Sequence, residues 1–159
     1  MLNPGPGPDW WRVDPTNKLS SPRLRRLLEM WNERSADGSL PTREEFQAED
    51  LIMFGGRVVL IDLEAEPFRM RYRLIGTKIT EMLGRDSTGR YLDEIYGPEY
   101  YRRQSEHFRR VATERLPLRT YGSMAHSEKP YIPAEAIDLP VGDDAGNVVM
   151  ILRGLDFFD

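Results

Sequence analysis

Cysteine is absent from all 159 residues of this sequence. Without a thiol the chain cannot form a disulfide, a thiolate nucleophile or a cysteine-bound zinc or iron–sulfur centre. Long apolar runs are absent too, since none approaches the ~20 residues that a membrane-spanning helix requires. Residues 1–8 also lack the basic flank and apolar core of a signal peptide. We therefore predict a cytoplasmic protein that does not interact with membranes.

Catalytic signatures are equally scarce. The sequence contains no Gly-x-Ser-x-Gly, no phosphate-binding Gly-x-x-x-x-Gly-Lys-Ser/Thr and no His-Glu-x-x-His. The net charge of -4 argues weakly against nucleic-acid binding, because affinity for phosphate backbones comes from clustered positive charge. These absences predict a protein that is not an enzyme and that has no nucleic-acid partner.

The composition that is present is typical of one soluble domain. Hydrophobic residues make up 40% and charged residues 30% of a chain that is long enough for one real core. Residues 1–19 alternate Pro, Gly and polar residues around Trp10 and Trp11, which predicts a flexible or loosely docked arm. The two tryptophans either anchor a partner or pack back onto their own domain, and we favour the second reading. Residues 20–159 are then the domain itself.

The first helix is predicted over residues 20–37. Ser21 is a hydroxyl cap and Pro22 suits the first helical position. Four apolar residues then recur at helical spacing along one stripe: Leu24, Leu27, Leu28 and Trp31. Such a stripe must be buried, either on its own sheet or against a second copy of the chain. We favour burial against a second copy and predict a homodimer that forms through this helix.

Five strands and one long helix follow. Alternating or continuous apolar patterns predict strands over residues 57–63, 69–75, 116–125, 130–141 and 147–157, with a helix over 98–114. Short connections between consecutive strands favour antiparallel pairing. Periodicity alone therefore predicts an α+β domain with a five-stranded antiparallel sheet.

Two short motifs add a resemblance to this pattern. Residues 72–77 read Tyr-Arg-Leu-Ile-Gly-Thr, and residues 84–89 read Gly-Arg-Asp-Ser-Thr-Gly. Together they resemble a family of short, single-domain PAS-like proteins of alphaproteobacteria. The matching positions are Tyr72, Arg73, Gly76, Thr77, Gly84, Asp86 and Gly89. The resemblance implies a PAS-like sheet with helices on one face, preceded by the N-terminal helical segment, and a sensory role in signal transduction.

The resemblance also implies a place for a ligand. PAS-like domains hold small molecules between the inner face of the sheet and the helices that cross it. The residues expected to line that space are Tyr72, Leu74, Tyr91, Phe108, Val111, Tyr121 and Met150. Apolar and aromatic side chains with a few hydroxyls suit a small-molecule pocket and a solid core equally well, so both readings stay open.

Cofactor chemistry is limited by what the chain lacks. Cysteinyl-flavin photochemistry, known in PAS-like domains, is excluded by the missing cysteine. His107 lies on the predicted long helix, where haem-binding PAS-like domains carry their iron ligand, but a surface or half-buried histidine is the reading we favour. His126 lies in a polar connection. We predict no cofactor and no metal site.

Three arginines alternate on one face of the second strand. Arg69, Arg71 and Arg73 either hold a carboxylate or phosphate ligand or pair with acidic side chains of the protein. For Arg73 we predict a structural ion pair, to Asp86 or to a helix carboxylate.

Three functions are compatible with these features. The first is a sensory or regulatory module that responds to a small ligand or a protein partner and signals through protein–protein contact. The second is a scaffold or dimerisation domain without a ligand, and the third is a small α+β enzyme. We rank them in this order, because no catalytic constellation can be assembled from the sequence.

Overall fold

The computed structural model describes residues 11–124 and 131–158. These ranges contain six strands and five helices. In chain order they are β1 (Trp11–Asp14), α1 (Pro22–Arg34), α2 (Ala48–Ile52), β2 (Val58–Glu64), β3 (Arg69–Ile75), α3 (Thr77–Leu83), α4 (Leu92–Ile95), α5 (Pro98–Glu114), β4 (Leu118–Ser123), β5 (Pro133–Gly142) and β6 (Val148–Phe157), with a 3-10 turn at Arg43–Glu45. Trp10 and His126 lie outside the described residues. None of the helices in the described ranges is long and apolar enough to cross a membrane.

The strands form a single antiparallel sheet in the order β1-β4-β5-β6-β2-β3. This confirms the predicted α+β class with its antiparallel sheet. The sixth strand, β1, lies in the segment that the sequence indicated to be an arm. Its four residues pair with β4 from Trp11 opposite Gly122 to Asp14 opposite Arg119. Strand β1 has only four residues and lies between a Pro/Gly-rich segment and Pro15. It is too short to show the two-residue alternation by which a strand is recognised in a sequence.

Two apolar layers cover the sheet. We call the face under α3, α4 and α5 the inner face and the face under α1 the outer face. The inner layer includes Val59, Met70, Phe108 and Ile151, and all four are buried. The outer layer joins α1 to residues of β2, β5 and β6. The two layers share the same central strands because neighbouring residues of a strand point to opposite faces.

Three of the four residues in the apolar stripe of α1 are buried against its own sheet. Leu24 is 2%, Leu27 0% and Trp31 6% exposed, and Leu28 is partly buried against the same layer. The Trp31 indole Nε1 donates a hydrogen bond of 2.8 Å to the carbonyl oxygen of Pro140 on β5. The surface on which the predicted homodimer was based is thus covered within the chain. The oligomeric state itself stays a prediction.

Ser21 fixes the start of α1 to the sheet. Its Oγ accepts the Leu24 N–H at 3.1 Å and donates to Asp156 Oδ2 at 2.7 Å. The buried carboxylate of Glu135 accepts the N–H groups of Ser20 and Ser21, both at 2.8 Å. The predicted cap is therefore present, and it also satisfies a buried acid that the sequence pattern did not reveal.

The Ser21→Ala substitution should lower the free energy of unfolding by about 1–2 kcal/mol, because it removes the cap and leaves Asp156 without its hydroxyl donor. Ser39→Ala is the control. Ser39 Oγ donates to Asp37 on an exposed turn, so its loss should change stability by no more than about 0.5 kcal/mol. Urea unfolding of both variants measures the difference. Equal effects would show that the Ser21 cap contributes nothing specific.

A bulge in β3 reverses the side-chain alternation expected there. Leu60 pairs with Leu74, whereas the next residue, Ile61, pairs with Tyr72, so Arg73 is the additional residue. Tyr72 then packs in the inner layer, while Leu74 lies across from Leu60 of the outer layer and is 39% exposed. This corrects the predicted inward position of Leu74, since one inserted residue shifts the alternation by one place.

Candidate functional site

A buried ion cluster lies between α5 and the inner face of the sheet. Asp138 on β5 and Arg153 on β6 are directly paired across the two strands. Arg153 Nε donates to Asp138 Oδ1 at 2.7 Å, and Nη2 donates to Oδ2 at 2.9 Å. His107 Nε2 on α5 lies 2.7 Å from the same Oδ2. The Asp138 side chain is fully buried, the Arg153 side chain is 14% exposed and the His107 side chain is 11% exposed.

The cluster keeps Asp138 ionised despite its burial. Burial alone raises the pKa of this carboxyl, but the charge of Arg153 and the hydrogen bonds from His107 and Arg153 outweigh it and lower the pKa to about 2. Burial lowers the pKa of Arg153, and attraction to Asp138 more than offsets this, so its net shift is upward. An ionised carboxylate only accepts hydrogen bonds. We infer that Nε2 of His107 carries the hydrogen and donates it.

Three tyrosines lie close to this cluster. The hydroxyls of Tyr72 and Tyr96 are 2.7 Å apart, and the rings of Tyr96 and Tyr100 have centroids 4.5 Å apart. Burial is the largest cause that raises the pKa of each of these phenols. All three are therefore neutral near pH 7 and act as hydrogen-bonding hydroxyls on apolar rings.

Two cavities flank the cluster. The interior one measures about 60 Å³ and is lined by residues that include Tyr72, Ile79 and Tyr96. The larger one is a cleft of about 290 Å³ between α5 and the strands β1 and β4, with Val13, His107 and Thr120 in its lining. Trp11, Tyr100 and Arg153 line both. These three side chains are therefore shared by the walls of both spaces.

The residues predicted to line a cavity are dispersed. Tyr72 lines the interior cavity. Phe108 and Val111 are buried in the inner layer, where the Arg153 guanidinium lies 4.9 Å from the Phe108 ring centroid. Met150 is buried in the outer layer. Its strand alternation places it on the opposite face from the cavities, which corrects its predicted position.

Two further predicted residues lie away from the cavities. The Tyr91 hydroxyl donates to Glu64 at 2.6 Å, and its ring lies 3.5 Å from the Arg69 guanidinium. Tyr121 is 39% exposed and lies 4.7 Å from the Arg119 guanidinium. On β4 its neighbour Thr120 lines the cleft instead. The predicted inward position of both tyrosines is corrected, because each ring packs against an arginine and lines neither of these two cavities.

Sequence reasoning missed the ion cluster, although a signal was present. Asp138 interrupts the apolar stretch around Ile137 and Leu139, and Arg153 directly follows the longest apolar run of the chain. A charge inside a mostly apolar strand indicates a buried charge, and a buried charge requires a partner. Strand β5 carries two acids, Glu135 and Asp138, and β6 carries Arg153 with Asp156. Opposite charges on two strands that follow one another in sequence favour a pair between them.

The motif residues hold a loop along the edge of the sheet. Gly89 N donates to Tyr72 O at 2.7 Å, and Tyr72 N donates to Arg90 O at 3.0 Å. Asp86 accepts the Thr88 N–H at 3.0 Å, and Gly84 ends α3 in the left-handed conformation with a φ of 78°. Thr77 is the first residue of α3, and Gly76 precedes it as the cap. Within the part of the chain that the structure describes, these motif residues therefore shape the backbone of the loop and of α3.

The arginines of β3 pair with acidic side chains. Arg73 Nη1 lies 3.4 Å from Asp62 Oδ2, so the predicted ion pair exists with a different partner, supplied by the neighbouring strand. Arg71 lies 3.6 Å from the same carboxylate. Arg69 binds both oxygens of Asp93 on α4 at 2.8 Å. This arrangement supports the structural reading over ligand binding.

Metal and cofactor ligation have little support in the geometry. No cluster of three or more His, Asp or Glu residues in ranges 11–124 and 131–158 could hold a metal ion. His107 Nε2, the atom considered for haem, is directed to Asp138. The absence of a cofactor stays a prediction.

The sequence comparison names the family to which this α+β domain belongs. Residues 19–155 match the PAS domain family, so the chain belongs to the PAS domain family, as its motifs predicted. No curated protein matches the chain.

Solved structures with a similar fold include light-oxygen-voltage (LOV) domains. One, studied with a flavin analogue, is 15% identical, with 70% of this chain and 83% of that chain covered and a TM-score of 0.49. Another is the light state of the blue-light photoreceptor Aureochrome1 LOV, at 13% identity, 69% and 88% coverage and a TM-score of 0.44. We base the family assignment on the sequence match alone.

Proposed function

We propose that this protein is a sensory or regulatory PAS module that binds a small molecule in the cleft between α5, β1 and β4 and signals through contact with a protein partner. The observation that carries the proposal is the cleft of about 290 Å³ with a buried arginine and histidine in its lining. Small-molecule sites typically begin at ~300 Å³ and combine apolar walls with a few placed polar groups. Catalysis is not part of the proposal.

The ion cluster couples the cleft to the rest of the sheet. A ligand that contacts His107 or Arg153 acts on side chains bonded to Asp138, at the centre of β5. The same strand carries Pro140, whose carbonyl oxygen binds Trp31 of α1 on the outer face. Strands β5 and β6 are thus in contact with both layers. A shift at the cleft would change how α1 packs on the sheet. We propose that the protein partner contacts this helix.

A scaffold without a ligand is the second candidate, and the interior cavity favours it. A volume of about 60 Å³ corresponds to roughly two water molecules at ~30 Å³ each. The hydroxyls of Tyr72 and Tyr96 are already bonded to each other beside it. The two candidates therefore differ in one respect, which is whether the larger cleft takes a ligand.

A thermal-shift screen of small molecules, followed by native mass spectrometry, tests the proposal. A compound that binds only the native state raises the apparent stability, by about 2.7 kcal/mol at a concentration 100 times its Kd. Retained ligand mass on the native protein would identify the same compound directly. If no compound stabilises the protein and no mass is retained, the scaffold function replaces the sensory one.

The Val13→Trp substitution should remove this stabilisation. Val13 lies in the cleft on edge strand β1 and is 43% exposed, so an indole fits there at the expense of cleft volume. We expect at least a tenfold loss of affinity for any compound found in the screen, because a loss of about 1.4 kcal/mol in binding free energy already gives that factor. Val149→Trp is the matched control, as Val149 is also on a strand and 38% exposed but lies outside the cleft. Equal affinities in both variants would place the ligand elsewhere.

A further inference from the structure

We propose that the cleft recognises a small monocarboxylate with a compact apolar body. This inference rests on the proposed function and names the class of ligand for the same site. Three features of the cleft support it: the polar atoms of its lining, its arginines and its apolar opposite wall.

One buried polar atom in the cleft lining has no partner within the described ranges. Thr120 is 5% exposed, and its Oγ1 makes no hydrogen bond there. Arg153 uses Nε and Nη2 for Asp138, so Nη1 is the guanidinium nitrogen that this pair does not use. His107 likewise uses Nε2 for Asp138 and not Nδ1. A buried polar group without a partner is rare in a folded protein and calls for an explanation, and a ligand in the adjoining cleft supplies one.

These atoms suit a carboxylate group. A guanidinium nitrogen and a threonine hydroxyl both donate hydrogen bonds, and a carboxylate offers two oxygens that accept them. Bonds between a charged donor and a charged acceptor are roughly twice as strong as neutral ones. A carboxylate that bridges Arg153 and Thr120 would therefore satisfy both residues with a single group.

The residue types of the lining also suit an anion. Three arginines, Arg103, Arg110 and Arg153, line the cleft with one acidic residue, Glu106. Glu106 is paired at 2.7 Å with Arg102, and Arg110 is paired at 2.6 Å with Glu114, so these two charges are compensated by residues outside the lining. Arg153 is paired with Asp138, so the lining offers a ligand guanidinium donors and not a surplus of positive charge. In a partly enclosed cleft, attraction between opposite charges is screened less than at an open surface.

The remaining wall of the cleft is apolar and limits the size of the ligand. Trp11 and Val13 on β1 and Tyr100 on α5 supply this wall. The volume of about 290 Å³ corresponds to roughly ten water molecules at ~30 Å³ each. A single ring or a short alkyl chain fits this space, whereas a nucleotide or a haem does not. The lining thus combines an anion-binding end with an aromatic end.

Calorimetric titration of the intact protein with matched acid and amide pairs tests the inference. The probes are benzoate with benzamide, hexanoate with hexanamide, and acetate with acetamide, each pair nearly equal in shape and different in charge. We expect benzoate or hexanoate to bind at least ~10-fold more tightly than its amide, since one charge-assisted bond supplies such a factor. Acetate should bind more weakly than either, because it cannot reach the apolar wall.

The Thr120→Val substitution separates recognition from structure. It replaces the hydroxyl by a methyl group of the same shape, so carboxylate affinity should fall ~5-fold or more while the melting temperature stays the same or rises. A threonine with only a structural role would show a lower melting temperature and an unchanged affinity. Thr80→Val on α3 is the control, since Thr80 lies outside the cleft. This control should leave carboxylate affinity unchanged.

The outcomes distinguish this inference from the proposed function. If amides or other neutral compounds bind as tightly as the acids, the carboxylate inference is overturned and the sensory function stands. If the acids bind equally well to wild type and to Thr120→Val, the assigned recognition site is wrong. If neither the acids nor any compound of the thermal-shift screen binds, both the inference and the proposed function fail.

Discussion

Replacing Asp138 by asparagine is expected to lower the free energy of unfolding by about 3–5 kcal/mol at pH 7. The substitution keeps the size of the side chain and removes its charge, which leaves the guanidinium of Arg153 buried without a counter-ion. It also replaces the acceptor of the His107 bond by an amide. Urea unfolding followed by circular dichroism measures the loss. A loss below about 1 kcal/mol would contradict the role assigned to the cluster.

A double substitution checks the physical cause. In Asp138→Leu with Arg153→Met, both buried charges are replaced by apolar side chains of similar volume. Such replacements are often neutral or stabilising, because neither charge then has to be removed from water. The double variant should therefore recover most of the stability that Asp138→Asn loses. If both variants are equally unstable, the loss comes from packing and not from the uncompensated charge.

Acid should reveal the same interaction through its pH dependence. The pKa of Asp138 is lowered from 3.8 to about 2 in the folded protein. A lowered pKa means that the stabilisation is complete above about pH 4 and is lost as the pH falls towards 2. Two pKa units correspond to about 2–3 kcal/mol. Asp14 also has a pKa lowered to about 2, so the wild type must be compared with Asp138→Asn at each pH. The difference between them should shrink between pH 4 and 2.

Replacing Gly76 by alanine is expected to cost about 3 kcal/mol. A Cβ at this position would lie 2.1 Å from the carbonyl oxygen and 2.4 Å from the carbonyl carbon of Gly56. These are backbone atoms, so no side-chain rotation relieves the contact. Relief requires the junction of β3 and α3 to move away from Gly56. That movement would break the bonds from Gly76 N to Val58 O at 2.8 Å and from Lys78 N to Gly56 O at 3.1 Å.

Gly89 provides a control from the same pair of motifs. It has a φ of +86°, but a Cβ there would meet no atom within 4 Å. Gly89→Ala should therefore cost only the ~1–2 kcal/mol of a non-glycine residue in the left-handed region. Chemical denaturation of both variants under the same conditions gives the comparison. If Gly89→Ala is the more destabilising substitution, backbone strain and not close packing is the reason that these motif positions require glycine.

Local patterns were sufficient for many elements of this fold. The long helix predicted over 98–114 occurs as Pro98–Glu114, because a proline at its start and an amphipathic stripe are both local signals. The start of α1 at Ser21 and Pro22 was likewise predicted from capping chemistry. The turn at 143–147 joins the two strands predicted on either side of it. These features depend on residues a few positions apart, which a single sequence displays directly.

The candidate site depended on contacts that no local pattern displays. Leu74 faces outward because a bulge at Arg73 shifts the register of β3, and register is a property of two strands together. The cleft exists because β1, a strand of four residues, adds to β4 more than a hundred residues later in the chain. The stripe of α1 was predicted to be buried, yet only the packed structure shows that its own sheet buries it.

The sequence by itself determined the family, the antiparallel α+β class and the absence of cysteine chemistry. Composition and short motifs suffice for these features, since each is a property of residue types or of near neighbours. Only the tertiary structure decided that Asp138, Arg153 and His107 meet beside the cleft. A buried charge is stable only where a partner from another element reaches it. That partner is chosen by strand register and helix packing, which are set by the whole chain at once.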